Sequence, residues 1–460
     1  MAIDSTPDPA VLSAIFKAYD VRGVVPDQLD DALAAAVGNA FVEVTDAAGS
    51  AIVVGHDMRP SSPGMARAFA EGAAAAGSDV HLIGLASTDE LYFASGKLGL
   101  PGAMFTASHN PAHYNGIKLC RAHAVPVGLD TGLSEIRERV ASGERASAAT
   151  PGHIDEIDVL DDYAAYLRDL APVRGRRLRV AVDAGNGMAG HTAPAVLGGL
   201  DLEVLPMYFE LDGTFPNHEA NPIEPENLRD LQAKVRESGA DIGLAFDGDA
   251  DRCFVVDERG EVVSPSVLTA LIAARELRRE PGARIIHNLI TSRAVPEIVT
   301  ELGGVPVRTR VGHSFIKATM AESGAVFGGE HSGHFYFRDF WRADSGMLAA
   351  LHVLAALAES DRPLSELLQE YSRFVASGEI NSTVENQDEA LSEVKERFAG
   401  RDDVEIDELD GLTVTASGWW FNVRPSNTEP LLRLNVEAED EAMMAKVRDD
   451  VLATIRRQGS

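Results

Sequence analysis

From about residue 50 to residue 370, short apolar runs alternate with Ala- and Leu-rich helical stretches, as in AIVVGHD, then PGMARAFAEGAAAAG, then DVHLIGL. Strands and helices alternating in this way build βαβ crossovers and a sheet covered by helices, so the expected class is α/β. Within that stretch three loops begin alike: Gly-Ala-Met-Phe105 leads into TASHNP, Gly-Leu-Ala-Phe246 into DGDADR, and Gly-Ala-Val-Phe327 into GGEHSGH. Three related units, each ending a strand in a polar loop, are expected. From about residue 376 the order changes to a strand (GEINSTV), a helix (DEALSEVKERF), two strands around DGLTVTA and WWFNVRP, and a closing helix. That order predicts a smaller α+β unit at the end. A chain of 460 residues exceeds what one core supports, and the expected units are 1–153, 154–257, 258–373 and 374–460.

Asp and Glu number 71 against 41 Lys and Arg, a formal charge of −30. Such a field opposes nonspecific attraction to nucleic acid or to anionic membranes, which need clustered cations. It also repels phosphorylated ligands, so an anion pocket here must overcome the global charge with local Arg, Lys, backbone amides or a divalent cation. No run approaches the roughly 18 apolar residues of a membrane span. The opening MAIDSTPDPAVLSAIFKAYD has no basic region followed by an apolar run, so it does not read as a signal peptide and the cytoplasm is expected. Cys120 and Cys253 each sit inside an apolar stretch, which predicts two buried structural thiols.

Four segments carry chemistry. FTASHNPAHYNGIK places Ser108 after a strand, in a loop that Pro111 and Gly116 keep irregular, with His109 and Lys118 near in sequence to move protons and supply charge. A lone Ser-His pair would be a serine bonding its own turn. Asp247, Asp249 and Asp251 alternate with Gly248 and Ala250, so an extended backbone points all three carboxylates the same way. Converging carboxylates repel unless a cation sits among them, and hard oxygen ligands suit Mg²⁺. A calcium EF-hand competes, with Glu258 at its twelfth position, but Arg252 stands where that loop needs Gly.

GGEHSGH, residues 328–334, is expected as a loop between the strands AVF and FYF. Glu330 and Ser332 suit sugar hydroxyls and His334 suits proton transfer; a metal site from His331 and His334 ranks below that reading. VRPSNTEP offers Arg424, Ser426, Asn427 and Thr428 as a phosphate clamp, with an ordinary polar hairpin turn as the equal alternative. A rival motif is Gly185-Asn-Gly187-Met-Ala-Gly190, a G-x-G-x-x-G after the strand RLRVAVDA with Glu210 twenty residues on, the pattern of a nicotinamide-dependent oxidoreductase. It leaves the other loops unexplained. No G-x-x-x-x-G-K-[ST] occurs, so a P-loop kinase is excluded.

TASHNP, DGDADR, GEHSGH and RPSNTEP, in this order, resemble the four signatures of the alpha-D-phosphohexomutases, in their bacterial phosphomannomutase/phosphoglucomutase branch. KAYDVRG and TRVGHSFIK match as well, so the resemblance covers nearly the whole chain. It implies three related α/β/α domains and a TATA-binding-protein-like fourth around a central cleft. It implies that Ser108 is phosphorylated, that Asp247, Asp249 and Asp251 hold one Mg²⁺ together with a phosphoserine oxygen, and that Tyr19, Arg22 and Lys118 border the transfer site with Arg252 beside the metal. Glu330 and Ser332 would grip the 3- and 4-hydroxyls, Arg424, Ser426, Asn427 and Thr428 the distal phosphate, and His313 and Lys317 further parts of the substrate. The implied reaction interconverts hexose 1-phosphate and 6-phosphate, of mannose and of glucose, through a hexose 1,6-bisphosphate that also serves as activator. Lys118, His109 and His334 are the candidate proton carriers. Glucosamine is disfavoured, because the glucosamine branch usually has Gln where this loop has His331. One departure stands out: where related enzymes often carry a substrate-contacting Lys, this chain reads IIHNLITSR, leaving Arg293 as a substitute or the contact absent. The expected partners are small phosphosugars, with monomer and homodimer equally open.

Overall fold

The computed structural model describes residues 8–425 and 431–456, without the side chains of His313 and Ser314. Three sheets repeat one pattern. In the first, Ala51–His56 lies parallel between Asp79–Leu85 and Gly102–Phe105, and the last of these turns back into antiparallel Tyr114–Arg121. In the second, Leu178–Asp183 lies between Leu202–Met207 and Ile242–Phe246, which turns back into Cys253–Asp257. In the third, Arg284–Asn288 lies between Val305–Thr309 and Phe327–Gly329, which turns back into Phe335–Phe337. All three polar loops thus leave the carboxyl end of a parallel strand, where α/β sheets present ligand loops. The repeat legible in the sequence is a repeat of topology.

Two details differ from expectation. The third strand begins at Phe327 and runs through Gly329, so the loop after it is Glu330–His334 rather than 328–334. Ile154–Glu156 pairs at the edge of the first sheet and Val262–Val263 at the edge of the second, beyond the residues expected to divide the units.

The fourth unit is an antiparallel sheet in the order Val375–Thr383, Leu431–Ala438, Trp419–Pro425, Leu412–Ala416, Val404–Asp407, with helices Gln387–Phe398 and Glu441–Ile455 over a core that includes Phe398, Trp419 and Phe421. It meets the third unit where Trp420 packs on Leu289 and Ile290, and where Glu437 accepts from the Arg293 backbone at 3.0 Å. Ile290 and Leu289 therefore carry apolar packing within the IIHNLITSR segment.

The first unit has its own core, with Phe41, Phe69 and Phe105 inside it. The second and third share one continuous core, reached also by Tyr92 and Phe93 of the first. The helix Gly346–Ala358, GMLAALHVLAALA, is buried along its whole length, as a helix apolar on every face must be. The helix Thr88–Leu98 starts at a reciprocal capping box of Ser87 and Glu90 and stops at Gly99, whose φ of 68° is left-handed. Just inside its start Asp89 is buried and accepts from Ser87 of its own unit, from Tyr163 of the second at 2.8 Å and from Ser345 of the third at 2.6 Å. Among the described residues no helix is long and apolar enough to cross a membrane.

Candidate active site

Ser108 follows the strand Gly102–Phe105 and takes a positive φ of 49°, with its backbone amide donating to Thr106 Oγ1 at 2.9 Å. Its loop is held by a residue that sequence reasoning missed. Arg59 is 1% exposed, pairs with Asp57 at 3.2 Å, and donates to the carbonyls of Ser108, Asn110, Pro111 and Tyr114 at 2.7 to 3.0 Å. One planar guanidinium thus ties down the whole turn. Arg22 donates from the other side to Asn110 and to Asp20.

The Ser108 hydroxyl donates to Asp247 Oδ2 at 2.7 Å. Contact between these two loops requires Gly248, because a Cβ there would stand 2.4 Å from the Ser108 carbonyl oxygen. The three carboxylates converge as expected, but from a tight turn rather than an extended strand. Ala250 donates back to the Asp247 carbonyl at 3.0 Å and has φ 62°. Carboxylate oxygens of Asp247, Asp249 and Asp251 all lie within 4.8 Å of one another, and all three residues are buried.

Lys118 reaches Asp249 at 2.7 Å and Asp251 at 2.6 Å. Burial alone would lower its ammonium, yet these carboxylates hold it well above its usual value. Asp247 is pushed well up, first by burial and then by the charges of Asp251 and Asp249. Burial pushes Asp251 up too, but Lys118 and His334 hold its carboxyl well below the usual range. Thr88, a second residue missed from sequence, fixes Asp249 by donating its hydroxyl at 2.6 Å and its amide to the Asp249 carbonyl at 3.0 Å. Asp249 Oδ1 and Asp251 Oδ1 remain buried with no hydrogen bond. Orphaned buried carboxylate oxygens beside a third carboxylate fit a hard divalent cation.

Arg252 links the second loop to the third. Its guanidinium bonds His334 Nε2 at 3.2 Å and His109 Nδ1 at 2.9 Å, and its backbone bridges that of His334. Arg252 above all, then burial, pushes His109 well down, so its imidazole is neutral beside Ser108 Oγ at 3.1 Å. Ser332 Oγ and His334 Nδ1 lie 2.9 Å apart. Glu330 accepts from Tyr336 at 2.7 Å, Asn288 at 3.2 Å and the Gly312 amide at 3.3 Å. Tyr19, Arg22, Ser108, Lys118, Arg252 and His334 line one polar cavity of about 80 Å³. Lys317 is 5% exposed, paired to Asp344 at 2.6 Å and 4.2 Å from the Tyr92 ring centroid, so it is committed to the interior. Arg424 pairs with Glu379 at 2.9 Å, and both charges act on His331 of the third loop. Ser426, Asn427 and Thr428, and the His313 side chain, lie outside the described residues.

The competing readings meet specific obstacles. Cβ atoms at Gly187 and Gly190 would meet the backbone oxygens of Gly248 and Phe209 at 2.7 and 2.3 Å, so protein backbone occupies the turn where a pyrophosphate would lie. Glu258 accepts from Ser365 rather than joining the acidic triplet, which removes the EF-hand. The metal-competent clusters among the described residues include His334 with Asp251 and Asp344, and not His331. Arg293 pairs with Glu297 at 3.2 Å and lies over Phe374, so it does not stand in for the missing lysine. Cys120 and Cys253 are free and buried.

Comparison with known proteins bears on the same architecture. Family models described as phosphoglucomutase/phosphomannomutase alpha/beta/alpha domains I, II and III match residues 13–147, 161–260 and 265–374, and the C-terminal domain of that family matches 379–454. The chain is 41% identical to a protein of Xanthomonas campestris named phosphohexose mutases, over 96% of this chain and 99% of that one. It is 38% identical to the phosphomannomutase of Escherichia coli K12, over 96% and 98%. A Burkholderia thailandensis phosphoglucomutase/phosphomannomutase family protein of solved structure superposes with a TM-score of 0.88 at 34% identity, covering 97% of this chain and 98% of that one. With four domain models matched in order along almost its full length, the chain belongs to the phosphoglucomutase/phosphomannomutase family.

Proposed function

We propose that this protein is an isomerase that interconverts hexose 1-phosphates and hexose 6-phosphates, of mannose and of glucose, using Ser108 as phosphoryl carrier. The observation that carries the reading is the contact of the Ser108 hydroxyl with the acidic triplet across two units, with Lys118 alongside. Phosphoserine at 108 donates its phosphoryl group to the free hydroxyl of a bound hexose monophosphate. The Ser108 Oγ–P bond breaks, an O–P bond to the sugar forms, and the sugar hydroxyl gives up its proton. The resulting 1,6-bisphosphate turns end for end, and Ser108 takes back the other phosphate.

Asp247, Asp249 and Asp251 would hold one Mg²⁺, which when bound neutralises charge on the transferring phosphoryl group. Arg22, Arg252 and Lys118 add positive charge fixed in advance, which a phosphoryl transfer uses in place of covalent chemistry by the protein. Lys118 serves as a permanent cation, because its carboxylate partners keep it protonated. The proton then falls to His109, neutral beside Ser108, or to His334 on the facing loop. Glu330 and Ser332 take the 3- and 4-hydroxyls through their remaining lone pairs and donor, and Arg424, with Ser426, Asn427 and Thr428, takes the phosphate that is not moving. Mannose and glucose share configuration at the 3- and 4-positions, so these contacts serve both.

The test is conversion of mannose, glucose and glucosamine 1-phosphates to 6-phosphates, side by side, with Mg²⁺ and a trace of hexose 1,6-bisphosphate. Turnover of mannose and glucose with little on glucosamine is expected. No turnover on any of the three overturns the reading.

A further inference from the structure

Away from the cleft, between the second and third units, Arg174, Arg275, Arg278 and Arg279 line a cavity of about 480 Å³ together with His352. Arg174 lies between the helix Leu160–Leu170 and the strand Leu178–Asp183, and the other three close the helix Pro265–Arg279. Arginines at a helix carboxyl end ordinarily complement its dipole, and that accounts for Arg278 and Arg279. It does not account for Arg174, which comes from another unit. Nor does it explain a concave space, in the range of roughly 300 to 1,000 Å³ typical of small-molecule sites.

The local charge runs against that of the whole molecule. In a chain of formal charge −30, four guanidinium groups meet only Asp169 and Glu359 among the carboxylates of this lining. Glu359 is already held by Arg275 in a bidentate pair at 2.8 and 3.0 Å, and Arg279 pairs with Glu276 at 2.8 Å. Arg174 and Arg278 have no ion-pair partner among the described residues and are exposed. His352 is 3% exposed, stacks on Phe337 at 5.2 Å, and has a buried Nδ1 with no hydrogen-bond partner. Burial, then Arg275 and Arg279, pushes its imidazole down to about 3, so it stays neutral and leaves polar capacity unused.

We propose that this cavity is a second anion site, distinct from the mutase cleft, for a small molecule bearing two phosphate groups. Each unpaired guanidinium presents a fork that matches one phosphate in bidentate fashion, and two forks from two units call for two phosphates. A bound polyanion also relieves the repulsion of like charges around one space. The site does not rest on the mutase reading, since neither Arg174 nor Arg278 lines the polar cavity at Ser108.

Calorimetric titration of the full-length, metal-free protein with inorganic pyrophosphate at low salt tests it. Two binding events are expected, one in the cleft and one here. The double variant Arg174→Ala/Arg278→Ala should weaken one event at least about tenfold, the scale of losing charge-assisted hydrogen bonds, while keeping mutase turnover and melting temperature. Arg22→Ala should remove the other event. Should the double variant fail to fold, Arg278→Glu alone serves, with the same expected loss. Displacement of the pyrophosphate of this site by ADP identifies a contiguous diphosphate, and displacement by fructose 1,6-bisphosphate identifies separated phosphates. A single event in the wild type, abolished by Arg22→Ala, overturns the proposal, as do unchanged affinity and stoichiometry in the double variant.

Discussion

The Ser108 hydroxyl donates to Asp247 Oδ2 at 2.7 Å, so the serine proposed as phosphoryl carrier in one unit touches the acidic turn of the next. Replacing Ser108 by Ala removes one buried oxygen without altering the turn that Arg59 fixes. Mutase turnover should fall by roughly 10³-fold or more, as when other nucleophiles are removed. The melting temperature should stay close to wild type. Substantial retained turnover in purified Ser108→Ala would remove the phosphoserine mechanism.

The acidic triplet predicts how the protein would take up a divalent cation. Asp247 is pushed up by burial and by its two neighbours, so the metal-free protein keeps a proton there that the unfolded chain loses near the usual value of 3.8. A cation must displace that proton, and Mg²⁺ affinity should therefore rise with pH. Calorimetry in buffers of different ionisation enthalpy should register proton release. Mg²⁺ at a hundredfold excess over Kd should add about 2.7 kcal/mol of stability. Asp249→Asn should abolish most of that gain, and an equal Mg²⁺ effect in this variant would place the cation elsewhere.

Arg59 offers a test of positioning. Arg59→Lys keeps a cation against Asp57 but loses the fork that reaches the four carbonyls of the serine loop. A serine displaced by a fraction of an ångström should lower kcat by about 10²-fold with little change in KM. A parallel rise in KM at unchanged kcat would assign Arg59 to substrate binding instead.

Glu90 should give stability a pH dependence. Burial, then the neighbouring Asp89, pushes Glu90 up to about 8 from the ordinary 4.5. The folded protein holds a proton that the unfolded chain has released, so this contribution is complete below about 4.5 and is lost as pH rises through 8. Melting temperature should fall between pH 6 and 8. Glu90→Gln, which keeps the shape, should gain on wild type by about 1.4 kcal/mol per pH unit over that interval. A constant difference between the two proteins across it would show that Glu90 titrates normally.

Sequence reading reached the parts of this protein that are local in the chain. Each polar loop follows an apolar strand by one residue, so periodicity located Ser108, the acidic triplet and Glu330 together with the elements that carry them. It failed where geometry comes from distant chain. Arg59 lies in DMRP, with nothing to mark it as the clamp of a loop about fifty residues on. Thr88 reads as part of an ordinary helix start, and its bond to Asp249 depends on two units meeting. Lys317 looked available beside TRVGHSF, but it lies in the helix His313–Ser323 and its partner Asp344 comes from the distant strand Ala343–Asp344. The convergence of the aspartates was foreseen for the wrong reason, since a turn with a left-handed Ala250 produces what an extended strand was expected to produce.

Asp89 has a consequence for engineering by recombination. One carboxyl gathers hydroxyls from Ser87, Tyr163 and Ser345, and so from each of the first three units. Grafting one of these units from a relative that lacks the matching group would leave that carboxyl short of a donor, or two donors short of their acceptor, in a place water does not reach. The first three units are thus a single block for swapping. The fourth, docked through Trp420 and Glu437 and through Arg308 to Asp407 and the Val311 amide to Asp410, takes no part in that cluster and is the natural crossover partner for building hybrid mutases.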